Sequence, residues 1–427
     1  MKKLINFLKE TNKKGFFHVF VANVFFALAA FGSQLFIAKV LTDVELGYIK
    51  IFQSYSQILS IVAGFGYSTS VLILSSNPKN DDRKSEILQV AIYAVIPISL
   101  IVLLLFNILN KFGVWTNVLK VNELLGSYSF VILFTALSAT LTAFIQAARI
   151  FKKYSYIVIL TKVTSIVLIV VLTYYQGLKG FFNGLCIGLV FSLLVNSIFT
   201  KKEFNLKFSL KVVGFVKKAR EQLVIGIHGL GANMFNILAS NFDIILMGYF
   251  LVEDPNLLGQ YGFASIFFTG LSIIQSTIVQ VATPYFSKYI NDNNTIVFLL
   301  KKYTKVLFLS SVVLLVSFYL FLPKFINFMY GDKFSVGVSF LILLIGVWFF
   351  KVNNSINGAY LLASGLTKYI NLINFINAVL TGLSVYFSLK YYDIEIMIFN
   401  LMFINFLMLI FTFYIVKNST KTFYKHK

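Results

Sequence analysis

One lysine has no ordinary reason to be where it is. Lys351 lies near the middle of an apolar run at 337–363, just after Phe349 and Phe350 and before Asn353, Asn354 and Asn357. A run of that length crosses a bilayer as a helix, and a charge at its centre costs roughly 2.5–3.5 kcal/mol or more. Helical spacing puts 350, 353, 354 and 357 on one face, with Lys351, Asn354 and Ser355 partly on it. An ammonium beside a stripe of amides suits a water-filled cavity that receives an anion. The plainer alternative is a lysine paired with a carboxylate or with carbonyls for structure alone.

Other polar groups are ranked by the same test. Lys50 lies one turn in from the outer end of a span that also carries Gln53, Ser54, Tyr55, Ser56 and Gln57. That face can hydrogen-bond a polar ligand, although Lys50 can equally snorkel to the interface. Arg149, at the inner end of a span, either anchors the chain or meets an anion at the entrance. Asp243 is the only acid well inside a span. It either pairs with a lysine (Lys50 by depth), couples transport to protons or sodium ions, or braces its helix. No metal cluster or cofactor is expected.

The elements that must carry these groups are apolar helices. The 427 residues are 58% hydrophobic and only 12% charged, against roughly 25% charged in soluble domains. Twelve spans are expected at 16–39, 46–74, 87–110, 124–147, 155–175, 180–200, 222–250, 258–285, 301–322, 337–363, 367–389 and 392–416. The fold class is therefore an all-α polytopic membrane protein, since open sheets strand edge groups in lipid and the alternation of a barrel is absent. Lys and Arg number 27 in the segments that face one side and 7 on the other. This bias puts both termini in the cytoplasm. The +21 net charge follows from that topology and sits beside anionic membrane lipids, so no nucleic-acid partner is expected. Cys186 is the only cysteine, which excludes a disulfide framework.

The chain also repeats at an offset of about 212–215 residues. Leu46-Gly47-Tyr48 opens one span and Leu258-Gly259-Gln260-Tyr261 opens its counterpart. Phe151-Lys152-Lys153-Tyr154 and Leu366-Thr367-Lys368-Tyr369 lead into another pair, which ends near Tyr174-Tyr175 and Tyr391-Tyr392. Six spans per half preserve orientation and predict a parallel repeat. The expected organisation is a lobe at 1–200, a cytoplasmic linker at 201–221 and a lobe at 222–427.

Three segments resemble polysaccharide flippases. They are Leu41-Thr42-Asp43-Val44-Glu45-Leu46-Gly47-Tyr48, the stretch Asn241–Leu251 with Leu258–Ala264, and Tyr330-Gly331-Asp332-Lys333-Phe334. Their order is similar to that of the O-antigen flippase branch of the multidrug/oligosaccharidyl-lipid/polysaccharide exporter superfamily. The resemblance implies two six-helix bundles in a V around a central cavity. It implies movement of undecaprenyl-diphosphate-linked oligosaccharide across the bacterial inner membrane by alternating access, with no bond made or broken. Polysaccharide polymerase and chain-length proteins are the partners it suggests. Lys351 and Lys50 would then offset the diphosphate, and amides and tyrosines would hold the glycan. The rivals are a cation-coupled multidrug exporter, which wants carboxylates where this chain has lysines, and a membrane polymerase or ligase. The latter usually needs a large outer loop with arginines, and no outer loop here contains one.

Overall fold

A computed structural model describes residues 16–147, 151–204, 213–251, 254–290 and 292–422. Among these residues all regular structure is helical. The helices are α1 (Phe16–Val40), α2 (Asp43–Gly64), α3 (Tyr67–Ser76), α4 (Lys84–Lys111), α5 (Leu119–Ser127), α6 (Val131–Ala147) and α7 (Phe151–Phe204). They continue as α8 (Phe215–Phe250), α9 (Pro255–Lys288), α10 (Asn293–Tyr330), α11 (Ser335–Ala363), α12 (Thr367–Tyr391) and α13 (Ile394–Thr422). In hydrocarbon, only a helix satisfies every backbone group within its own segment.

Length and apolarity qualify seven helices as membrane-crossing among the described residues, and nine if the bent pairs α2–α3 and α5–α6 each make one pass. Two of the qualifying stretches are too long for a single crossing. The 54 residues of α7 break at Gly177, whose φ of 58° and ψ of −138° are not helical. A positive φ of this kind is open to glycine at little cost. The 70-residue stretch 294–363 breaks at Gly331, where φ is 59°. With those breaks and α1 taken as passes, the fold is compatible with the expected twelve.

The halves of α7 fold back on each other. A Cβ on Gly180 would collide with the Leu172 carbonyl, one on Gly184 with the Ile169 backbone, and one on Gly188 with Ser165. Glycine every fourth residue thus removes the bulk from one helix face and lets two backbones pack closely, as small-residue stripes do in membranes. Ser165 Oγ also donates to the Gly188 carbonyl at 3.2 Å across that contact.

Packing divides the chain into two compact units. The first takes Met1–Leu41 and Phe52–Met234, and the second takes Thr42–Ile51 and Phe235–Lys427. Within the first, α6 packs against α3, α4 and α7, while α1 lies along α7. The start of α8 is tied to the same unit. Lys218 pairs with Glu86, Gln222 donates to the Ile87 carbonyl at 3.0 Å, and Tyr67 donates to the Ala219 carbonyl. The glycines of α8 allow this approach: Gly226 meets the backbone of Gly66, and Gly229 meets Thr69.

In the second unit α11 is the hub, flanked by α9, α10 and α13. Trp348, fully buried, donates from its indole N–H to the Leu271 carbonyl at 3.0 Å and so pins α11 to α9. At one end of this unit lies a polar knot. Thr42 and Glu45 form a reciprocal capping box at the start of α2, with the Thr42 amide donating to Glu45 at 2.9 Å. Gln260, on α9, donates to Asp43 at 3.3 Å and to the Lys333 carbonyl at 2.8 Å, and accepts from the Gly337 amide at 2.9 Å. Phe263 stacks on Phe334 with ring centroids 3.8 Å apart. The three segments that carry the family resemblance therefore meet here, and Gly47 and Gly259, the glycines matched by the internal repeat, permit it. A Cβ at Gly47 would sit 3.0 Å from Leu258, and one at Gly259 would strike the Asp43 carbonyl.

Candidate functional site

Four helices of the second unit bring charge together. Asp243 comes from α8, Tyr261 and Phe268 from α9, Lys351 from α11 and Lys50 from α2. Tyr261 and Phe268 are seven residues apart, which places them on one face of α9, about 10 Å apart along the axis. Asp243 lies at the Tyr261 level and accepts that residue's hydroxyl proton in a hydrogen bond. Its other oxygen accepts from the Ile244 amide at 2.9 Å. Lys351 lies at the Phe268 level, with Nζ 5.0 Å from the ring centroid. This is a cation–π contact, which an ammonium gains from a ring face without using its N–H donors on an oxygen.

Asp243 and Lys351 attract one another electrostatically, yet they form no contact pair. Among the described residues no oxygen accepts a hydrogen bond from Lys351 Nζ. Both side chains are half-buried rather than sealed in the core. Depth alone suggested Lys50 as the partner of Asp243; Lys351 also attracts that carboxylate electrostatically. Lys50 itself is 9% exposed, and its stem packs against Gly262, where a Cβ would sit 3.2 Å from Lys50 Cγ.

The other expected residues fall elsewhere. Asn354 donates to Thr412 of α13 at 3.3 Å and accepts from Asn357 at 3.2 Å. These two amides thus join α11 to α13, while Lys351 turns toward α9. Asn353 is buried and donates to Ser311 of α10 at 2.9 Å. Gln53 is half-buried and Gln57 exposed, both on the part of α2 that belongs to the first unit. Lys162 lies 4.0 Å from the Phe26 ring centroid in that same unit. Arg149 lies outside the described residues. Phe268 and Thr412 were not singled out from sequence, and Tyr261 was named there only as part of the internal repeat and the flippase-like segment. The one available signal was chemical, since a carboxylate inside a span must find a donor.

A cavity of about 270 Å³ also opens between α9, α10 and α11. Its walls are mostly apolar, with Tyr303, Ser310 and Ser311 the polar exceptions, and none of the expected site residues lines it. Its chemistry suits hydrocarbon rather than a charged head-group.

Comparison with known proteins follows the same lines. Residues 36–339 match the model of a family described as polysaccharide biosynthesis protein. The teichuronic acid biosynthesis protein TuaB of Bacillus subtilis (strain 168) is 32% identical over 141 residues, which is 33% of this chain and 29% of that one. The match thus spans under a third of that relative's length. Among solved structures, the lipid II flippase MurJ in an inward closed conformation is similar with a TM-score of 0.74 at 15% identity, over 93% of this chain and 87% of that one. The Vibrio cholerae MATE transporter VcmN, as a variant, gives 0.64 at 13% identity over 96% and 97%. A MATE transporter in complex with MaL6 gives 0.63 at 12% identity over 96% and 95%. The match over most of its length establishes that this chain belongs to the polysaccharide biosynthesis protein family, and it is an all-α, multi-pass membrane protein whose fold is similar to those of the MurJ flippase and the MATE transporters.

Proposed function

We propose that this protein is a flippase for lipid-linked polysaccharide repeat units. It carries undecaprenyl-diphosphate-linked oligosaccharides, of the O-antigen or a related surface polysaccharide, from the cytoplasmic to the periplasmic leaflet of the bacterial inner membrane. Its lobes are 1–200 and 222–427, joined by 201–221, both termini are cytoplasmic, and the cycle makes and breaks no covalent bond. Family membership supports the polysaccharide substrate, and the fold shared with flippases and transporters supports movement rather than synthesis.

The observation that carries this reading is the unclaimed ammonium of Lys351. Three N–H donors on a mid-span cation, over an aromatic face, offer a diphosphate the charge-assisted bonds that the described residues leave unmade. Lys50 adds a second positive charge in the same unit. Gln53, Gln57, Asn354 and Asn357 supply amides for sugar hydroxyls, and Arg149 meets the diphosphate at the cytoplasmic entrance. Asp243 balances the lysines. The carboxylate-rich cavity of a cation exporter is the opposite arrangement.

The test is deletion of the gene in its host, with wild type or Lys351→Ala returned. Loss of surface polymer, with single repeat units accumulating on their lipid carrier, is the expected phenotype. Lys351→Ala at normal membrane abundance is expected to leave it uncorrected. Normal surface polymer in a host without a second flippase would overturn the reading and make cation efflux the next assay.

A further inference from the structure

Opposite charges at Asp243 and Lys351 share one face of α9 and do not close on each other. Inside a membrane protein such a pair normally would, because attraction grows as the dielectric falls. Something holds the carboxylate away, and the hydrogen bonds identify it. One oxygen of Asp243 is held by the Ile244 amide of its own helix and the other by the Tyr261 hydroxyl. Tyr261 has little freedom: it is 1% exposed, and its ring lies 6.3 Å from that of Phe340 on α11.

We infer that Tyr261 is a positioning residue that holds Asp243 away from Lys351 and so keeps the ammonium available to an anionic substrate. This rests on the reading of Lys351 as the diphosphate-binding group. Asp243 supplies the nearby negative charge that makes a mid-span lysine tolerable, and Tyr261 keeps that charge out of direct contact with it. A carboxylate in direct contact would neutralise Lys351 and occupy its donors. Without the hydroxyl, one oxygen of Asp243 loses its partner and the flexible Lys351 stem becomes its best replacement. The cation would then be consumed internally.

The test uses the full-length protein in detergent, with undecaprenyl diphosphate as the probe and thermal unfolding as the check on folding. Tyr261→Phe is expected to weaken binding about 10-fold, the order of one hydrogen bond to a charged group. Adding Asp243→Asn to Tyr261→Phe is expected to restore most of that loss, because a carboxamide cannot neutralise Lys351. A merely structural tyrosine would show no such rescue. Should Tyr261→Phe fail to fold, Asp243→Glu decides: its longer carboxylate is expected to reach Lys351 and weaken binding about 10-fold. The inference is overturned if folded Tyr261→Phe binds normally, if the double variant binds no better than Tyr261→Phe, or if folded Asp243→Glu binds normally. Lys351→Ala separates the two levels. Normal binding by that variant removes the diphosphate site itself, whereas lost binding with a failed rescue removes only the role of Tyr261.

Discussion

Two polar clusters lie in the same unit, on the same helix α9, and differ in one respect. Around Gln260 every amide group has found a partner in the protein: Asp43, the Lys333 carbonyl and the Gly337 amide. Around Lys351 the arrangement stops one step short, with Asp243 satisfied by Tyr261 and the ammonium resting on Phe268. A saturated cluster holds helices together, because breaking any bond strands a buried group. An unsaturated one stabilises little and is free to bind something else. Polarity inside a membrane therefore does not by itself mark a site; an unmet hydrogen-bonding capacity does.

Stability measurements can break this contrast. The largest effect is expected from Gly259→Leu, since the Asp43 backbone already fills the space a side chain would need. Overpacking costs about 1–3 kcal/mol even where neighbours can shift, and backbone shifts least. That variant is expected to lose the monodisperse peak in size-exclusion chromatography. Gln260→Ala should follow, stranding the buried Gly337 amide at about 1–3 kcal/mol. Its melting temperature in detergent should fall by several degrees.

Lys351→Met is the sharpening case. Its melting temperature is expected to hold or rise, since a mid-span charge is removed and an apolar stem kept, while transport falls to background. A destabilised Lys351→Met would place the lysine with Gln260 as architecture. Two glycines of α8 should then move in opposite directions. Gly226→Ala meets the Gly66 backbone and is destabilising, whereas Gly231 has nothing within 4 Å and its alanine variant gains the better helix propensity.

The smallest effect concerns Asp292, which caps α10. The Thr295 hydroxyl, at 2.6 Å, and the Thr295 amide hold this carboxyl below the usual carboxylate range. Its contribution is therefore present at neutral pH and lost as pH falls through that lowered value. Asp292→Ala should lower the melting temperature slightly at pH 7, and the difference should close in acid.

Much of this was legible in the sequence because bilayer constraints are severe. Span positions follow from apolar length, and Gly177 falls between the expected spans 155–175 and 180–200, as a turn must. Lys351 was found by the cost of its depth. Its neighbours were not, because which residue faces an ammonium depends on how α9 and α11 pack. The internal repeat marks Tyr261, yet nothing in its spacing points to Asp243. Asn354 and Asn357 read as cavity amides from their spacing; that Asn354 also donates to Thr412, 58 positions away, while accepting from Asn357, was not visible there. Arg149 was chosen for its place at a span end and lies outside the described residues. The flippase-like segments at 41–48, 258–264 and 330–334 identified the family through residues that hold the fold together.

The glycine face at 180, 184 and 188 has a consequence for how the chain is made. The strand of polypeptide between Phe151 and Phe204 carries its own closing surface, so neither pass needs a distant helix to cover it. As it leaves the ribosome, this stretch can enter the bilayer as a finished hairpin. A bulky residue at any of the three positions would then be felt during insertion, as protein degraded before the remaining helices arrive.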